Sequence, residues 1–62
     1  MNSMIENFIN GNLTTAKKQA KRYTLAKIRH ALQDEYGFSS LKAALTAGYL
    51  KTGEGFQEAC DA

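Results

Sequence analysis

The sequence predicts a single compact all-α domain, a bundle of four or five short helices spanning residues 1–62. Three observations lead there. The chain contains no proline, so no segment is barred from helix. It contains no valine, and no stretch alternates apolar with polar residues as a half-buried strand does. Apolar residues recur instead at spacings of three and four, in runs separated by glycine, asparagine and serine breaks.

The first helix is expected over about residues 4–10. Ser3 and Glu6 have the spacing of a capping box, and Met4, Ile5, Phe8 and Ile9 follow at helical intervals. Asn10-Gly11-Asn12 stops it, because glycine and asparagine tolerate the left-handed conformation. Asn12 is placed to cap the next helix, with Thr14 and Thr15 as competitors.

Leu13, Ala16, Ala20 and Tyr23 make one apolar stripe, and Leu25, Ile28, Leu32 and Tyr36 a second. At about 100° per residue the two stripes point roughly 145° apart. A break near Thr24, with Thr24 capping the second piece, accounts for the reversal. A continuous helix over 13–36 is the alternative, with its halves packed on different partners.

Gly37 ends that helix after Tyr36, and Ser39 or Ser40 caps the next. Its expected inner face is Leu41, Ala44, Leu45, Gly48 and Tyr49. Lys51 suits the negative end of its own helix, and Gly53 closes it. A last short helix runs through Cys60, with Glu54 and Glu58 near its positive end.

Composition excludes several classes of function. Sixty-two residues support one thin core and no multidomain enzyme. At 44% apolar and 23% charged residues the chain is an ordinary folded domain, not a disordered one. The longest uncharged run, Asn7 to Ala16, is ten residues and half polar, far short of the ~20 apolar residues that span a bilayer. The N-terminus has no basic region and carries Glu6, unlike a signal peptide, so the expected location is cytoplasmic. The one cysteine, Cys60, has no internal disulfide partner.

Catalytic and metal chemistry find little support. His30 and Asp34 are four apart and share a helix side, but two ligands do not make a structural metal site. Asp34 and Glu35 are adjacent and diverge by about 100° on a helix, so they are no acid–base pair. The serines read as helix caps, and no phosphate-cradling glycine loop is present. The expectation is a non-enzymatic protein without cofactor or metal.

Charge is the informative feature. The net charge is only +2, yet six of the eight basic residues fall between Leu13 and Gln33, where there is no acid. They are Lys17, Lys18, Lys21, Arg22, Lys27 and Arg29. Lys17, Lys18, Lys21 and Arg22 cover an arc of roughly 140° opposite the apolar stripe of that helix. Such an arc suits nucleic-acid phosphates or an acidic protein surface. A membrane surface is disfavoured, because the apolar side is alanine-rich and lacks Trp and Phe. A helix–turn–helix across Gly37 would leave only Lys42, Thr46 and Lys51 as base readers, with most basic residues on the wrong helix.

Tyr23, Tyr36 and Tyr49 each fall near an expected helix end and are candidate interface aromatics. Ala43, Ala44, Ala47 and Gly48 form a small-residue surface that suits either a close helix crossing within the fold or a homodimer seam.

The segments Phe8–Asn12, Ala16–Tyr23, Tyr49–Lys51 and Phe56–Asp61 resemble small uncharacterised proteins carried by bacterial plasmids and phages. That resemblance implies a mobile-element context and assigns no catalytic residue. Because the net charge is low and the acidic tail would repel DNA if it lies near the basic helix, the favoured expectation is a modulator of a host or plasmid protein, with the basic helix as a charged rim and exposed tyrosines as anchors. Nucleic-acid binding through helix 13–23 is the alternative, and a homodimer the third possibility. One continuous basic face clear of Glu54, Glu58 and Asp61 would favour nucleic acid.

Overall fold

The computed structural model describes residues 1–62 and contains five helices and no strand. They are α1 (Asn2–Ile9), α2 (Leu13–Ala20), α3 (Leu25–Asp34), α4 (Ser40–Thr52) and α5 (Phe56–Asp61). The chain does break at Thr24, whose hydroxyl accepts a 3.2 Å bond from the Lys27 N–H and starts α3. Residues 13–36 are therefore two helices. Ser39 likewise accepts from the Lys42 N–H at 3.1 Å and starts α4. A cap of this kind occupies one of the donors a helix start leaves free.

The corner between α2 and α3 is tight. The N–H groups of Lys21, Arg22 and Tyr23 bond to carbonyls three residues back, which tightens the last turn of α2 before the chain turns off. Gly37 (φ +70°) and Gly53 (φ +81°) adopt the left-handed conformation that ends α3 and α4. α3 stops at Asp34, two residues earlier than the Tyr36 expected from its spacing, and the Phe38 N–H returns to the Leu32 carbonyl at 2.9 Å.

The α1 start departs from the expected capping box. α1 begins at Asn2 with Met1 as cap, and no side chain caps it. Ser3 is drawn towards α2 instead, its hydroxyl accepting from Gln19 Nε2 at 3.1 Å. Gln19 Oε1 accepts from Asn7 Nδ2 at 2.9 Å, and Asn12 Nδ2 donates to Asn7 Oδ1 at 3.2 Å. Asn12 occupies the cap position of α2, but its side chain joins this polar ladder between α1 and α2 and does not cap.

α4 is the hub: α2, α3 and α5 all pack against it, and α1 packs on α2. The core is Met4 and Ile5 from α1, Ala16 and Ala20 from α2, Ile28, Ala31 and Leu32 from α3, and Ala43, Ala47, Tyr49 and Leu50 from α4. The inner face of α4 is thus not the expected one. Tyr49 is inside, but Leu41 is 64% exposed, Ala44 is exposed, and Leu45 and Gly48 are half-buried. The inward direction is rotated by about half a turn, onto Ala43, Thr46, Ala47 and Leu50. Alanines at the crossing let neighbouring backbones approach closely, which the larger leucines would prevent.

Candidate functional site

Two basic residues of α2 and its turn, Lys17 and Lys21, share one cleft with a lysine from α4. Lys17, Lys21 and Lys51 line an open cleft of about 240 Å³ together with Leu50, Thr52 and Gly53. α2 directs Ala16 and Ala20 into the core, so Lys17 lies on the flank nearest α4 and Lys18 points outward. The Lys17 stem is half-buried, and its ammonium stands 5.7 Å from the centre of the Tyr49 ring, a favourable cation–π placement. A side chain on Gly53 would meet the Lys17 stem at 3.9 Å, so the α4 stop also forms a wall of the cleft.

Lys51 is held differently. Its ammonium donates to the Ala20 carbonyl at 3.1 Å and to the Tyr23 carbonyl at 2.8 Å. It therefore caps the negative end of α2, not its own helix. No local pattern in the sequence marks Lys51 as a member of the basic set, because its partners are 31 and 28 residues away.

The other predicted members divide. Lys18, Lys21, Arg22 and Lys27 are exposed. Arg29 is half-buried and, two positions along α3 from Lys27, lies about 160° round the helix from it. Lys27 and Arg29 thus flank opposite sides of α3 and do not merge into one patch.

Of the acids of the C-terminal segment, Asp61 has a hydrogen-bond partner. Asp61 Oδ1 accepts from Gln57 Nε2 at 2.9 Å, and the Glu58 carboxylate folds back to within 3.5 Å of the position a Gly55 side chain would take. Lys42 donates to the Ala59 and Cys60 carbonyls at 3.2 and 3.4 Å and so caps α5.

This arrangement disposes of a helix–turn–helix across Gly37. Of its three candidate readers, Lys42 caps α5, Lys51 caps α2, and Thr46 is fully buried.

The tyrosines also divide. Tyr49 is 4% exposed and offers no surface to a partner. It lies inside α4, four residues before the stop, and its ring packs on Phe56 at 5.2 Å and Phe8 at 6.1 Å between centroids. Tyr23 and Tyr36 are half-buried. Burial, and then the charges of Glu6 and Glu35, raise the Tyr36 phenol above its ordinary value.

His30, Asp34 and Cys60 are exposed, and no three His, Cys, Asp or Glu side chains converge as metal ligands. No helix is long and apolar enough to cross a membrane. No protein-family model, curated protein or solved structure matches the chain.

Proposed function

We propose that this protein is a non-enzymatic nucleic-acid-binding protein that engages phosphates through Lys17, Lys18, Lys21 and Arg22, extended by Lys27. The observation that carries this reading is the convergence of Lys17 and Lys21 on one open cleft, where Lys51 holds the end of α2. Exposed Lys18 and Arg22 occupy neighbouring positions on α2 and its turn. The stretch from Leu13 to Gln33 holds six positive charges and no negative one, so attraction is concentrated there although the whole chain is only +2.

Fluorescence anisotropy with a mixed-sequence duplex across a salt series tests the reading. The expected result is binding that weakens steeply with salt. Replacing Lys17, Lys18, Lys21 and Arg22 together by alanine should make the log–log salt slope shallower by roughly 0.9 for each phosphate no longer neutralised. A folded protein that fails to bind at low salt would refute it.

A different observation favours a protein partner. Leu41, Ala44, Leu45 and Gly48 form an uncharged strip on the outward side of α4, at the spacing of a helix–helix interface. Sedimentation equilibrium with Leu41→Lys as control reads whether that strip associates with a second copy, and capture from a bacterial lysate reads association with another protein.

A further inference from the structure

Resting on the phosphate-binding reading, we infer that α2, the four-residue turn Lys21–Thr24 and α3 form a helix–turn–helix unit that binds duplex DNA, with α3 in the major groove. Two short helices joined by a turn of four residues match the connection such a unit uses. α2 rests on α1 and α4, and α3 rests on α4, with no extensive packing of α2 against α3. The second helix is therefore backed by the core on one side and free on the other.

The free side of α3 has suitable chemistry. Ile28, Ala31 and Leu32 face the core. Ala26, His30 and Gln33 recur at intervals of four and three on the opposite side, with Lys27 and Arg29 on its two flanks. Lys and Arg donate to guanine O6 and N7, Gln pairs with adenine N6 and N7, and an alanine methyl packs on a thymine methyl. Ala26, one residue into α3, lets the helix backbone approach the bases. The first acid is Asp34, about 12 Å further along the helix axis. An α-helix with its side chains is about 10–12 Å across and fits a groove about 12 Å wide.

Charge complementarity selects the occupant. The corner itself carries Lys21 and Arg22, directly before the first turn of α3, with Lys17 and Lys18 one turn back on α2. In a helix–turn–helix the first helix crosses the phosphate backbone while the second meets base edges. Four of the six cations lie on the first helix and the turn, and Lys27, Arg29 and Gln33 on the second. Lys51 is a positioning residue in this unit: its bonds to the Ala20 and Tyr23 carbonyls hold the corner on α4. The turn needs no glycine, since no residue from Lys21 to Thr24 has a positive φ.

Selection from a random duplex pool, followed by anisotropy on the enriched sequence and on a mixed-sequence duplex, tests the inference. The wild-type protein should enrich a motif and bind it about tenfold or more tighter than mixed duplex. His30→Ala with Gln33→Ala, checked for wild-type helicity by circular dichroism, should lose that preference while its low-salt binding to mixed duplex stays within about twofold. The inference is overturned if no motif is enriched, if the double variant keeps the same preference, or if single strands are bound better than duplex. Salt-dependent duplex binding without a motif overturns the groove assignment alone. Absence of binding to any nucleic acid overturns the phosphate reading with it.

Discussion

Lys51 and Tyr23 are 28 residues apart in sequence, yet the Lys51 ammonium donates a 2.8 Å hydrogen bond to the Tyr23 carbonyl. A second bond, 3.1 Å to the Ala20 carbonyl, places the same charge at the end of α2. The Ala20 carbonyl already accepts from the Tyr23 N–H, so the Lys51 cation adds a partner for the Tyr23 carbonyl and a positive charge at the partially negative end of α2. Lys42 does the same for α5 from the other end of α4. One helix thus supplies the closing cations of two others.

Lys51→Met keeps most of the aliphatic stem and removes the charge. It should cost about 1–2 kcal/mol, since bonds from a charged donor disappear while the carbonyls retain access to water. In a domain of this size each kcal/mol lowers Tm by roughly 4–8 °C. Lys51→Arg should recover most of the stability. Thermal denaturation by circular dichroism measures both, and an unchanged Tm in Lys51→Met would show that the cap contributes nothing.

Thr46 is fully buried, and its hydroxyl has no hydrogen-bond partner. Thr46→Val has nearly the same shape and lacks the stranded polar group. It is expected to stabilise the fold by about 1 kcal/mol, the lower end of the usual cost of an unsatisfied buried group. Thr46→Ser, which keeps the hydroxyl and removes a methyl, should be less stable than wild type. Urea denaturation midpoints decide the order, and a Val variant weaker than wild type would refute the assignment.

Gly53 and Gly48 should respond to alanine with opposite signs. At Gly53 a new side chain meets only the Lys17 stem at 3.9 Å, so there is room, but φ is +81°. The cost is therefore backbone strain, about 1–2 kcal/mol. Gly48 lies inside α4 with nothing within 4 Å of a new side chain. Gly48→Ala should stabilise by about 0.5–1 kcal/mol, because glycine carries an entropic penalty in a helix interior. Equal effects at the two sites in a denaturant series would contradict this account.

Tyr36 makes stability fall at alkaline pH. Burial, then Glu6 and Glu35, raise its folded-state pKa above the ordinary value of 10.0. Above that value the native state binds more protons than the unfolded state, so stability declines with rising pH until the folded-state pKa is passed. Below it, Tyr36 contributes no slope. Tyr36→Phe should flatten the alkaline fall in Tm relative to wild type and leave the neutral region parallel. Superimposable profiles above about pH 10 would disprove the linkage.

Much of the architecture was legible because it depends on local chemistry. Thr24 and Ser39 cap helices through atoms three residues away, and Gly37 and Gly53 supply conformations other residues resist. Ser3 and Glu6 carry an equally good local signal, yet Gln19 of α2 takes the Ser3 hydroxyl, sixteen residues away. The basic segment of α2 was legible as a charge run, whereas its extension by Lys51 was not.

The chain order of helices, their breaks and the concentration of positive charge between Leu13 and Gln33 were determined by the sequence itself, since each follows from neighbours along the chain. Which face of α4 turns inward was decided only in three dimensions. Its leucines favour one side by hydrophobicity, but close packing around a shared helix selects the alanine side and leaves Leu41 outside. That same choice commits Lys42 and Lys51 to capping, buries Thr46, and leaves the outer face of α3 free. The packing of one helix on another depends on the simultaneous fit of several surfaces, and no single helix's periodicity contains that information.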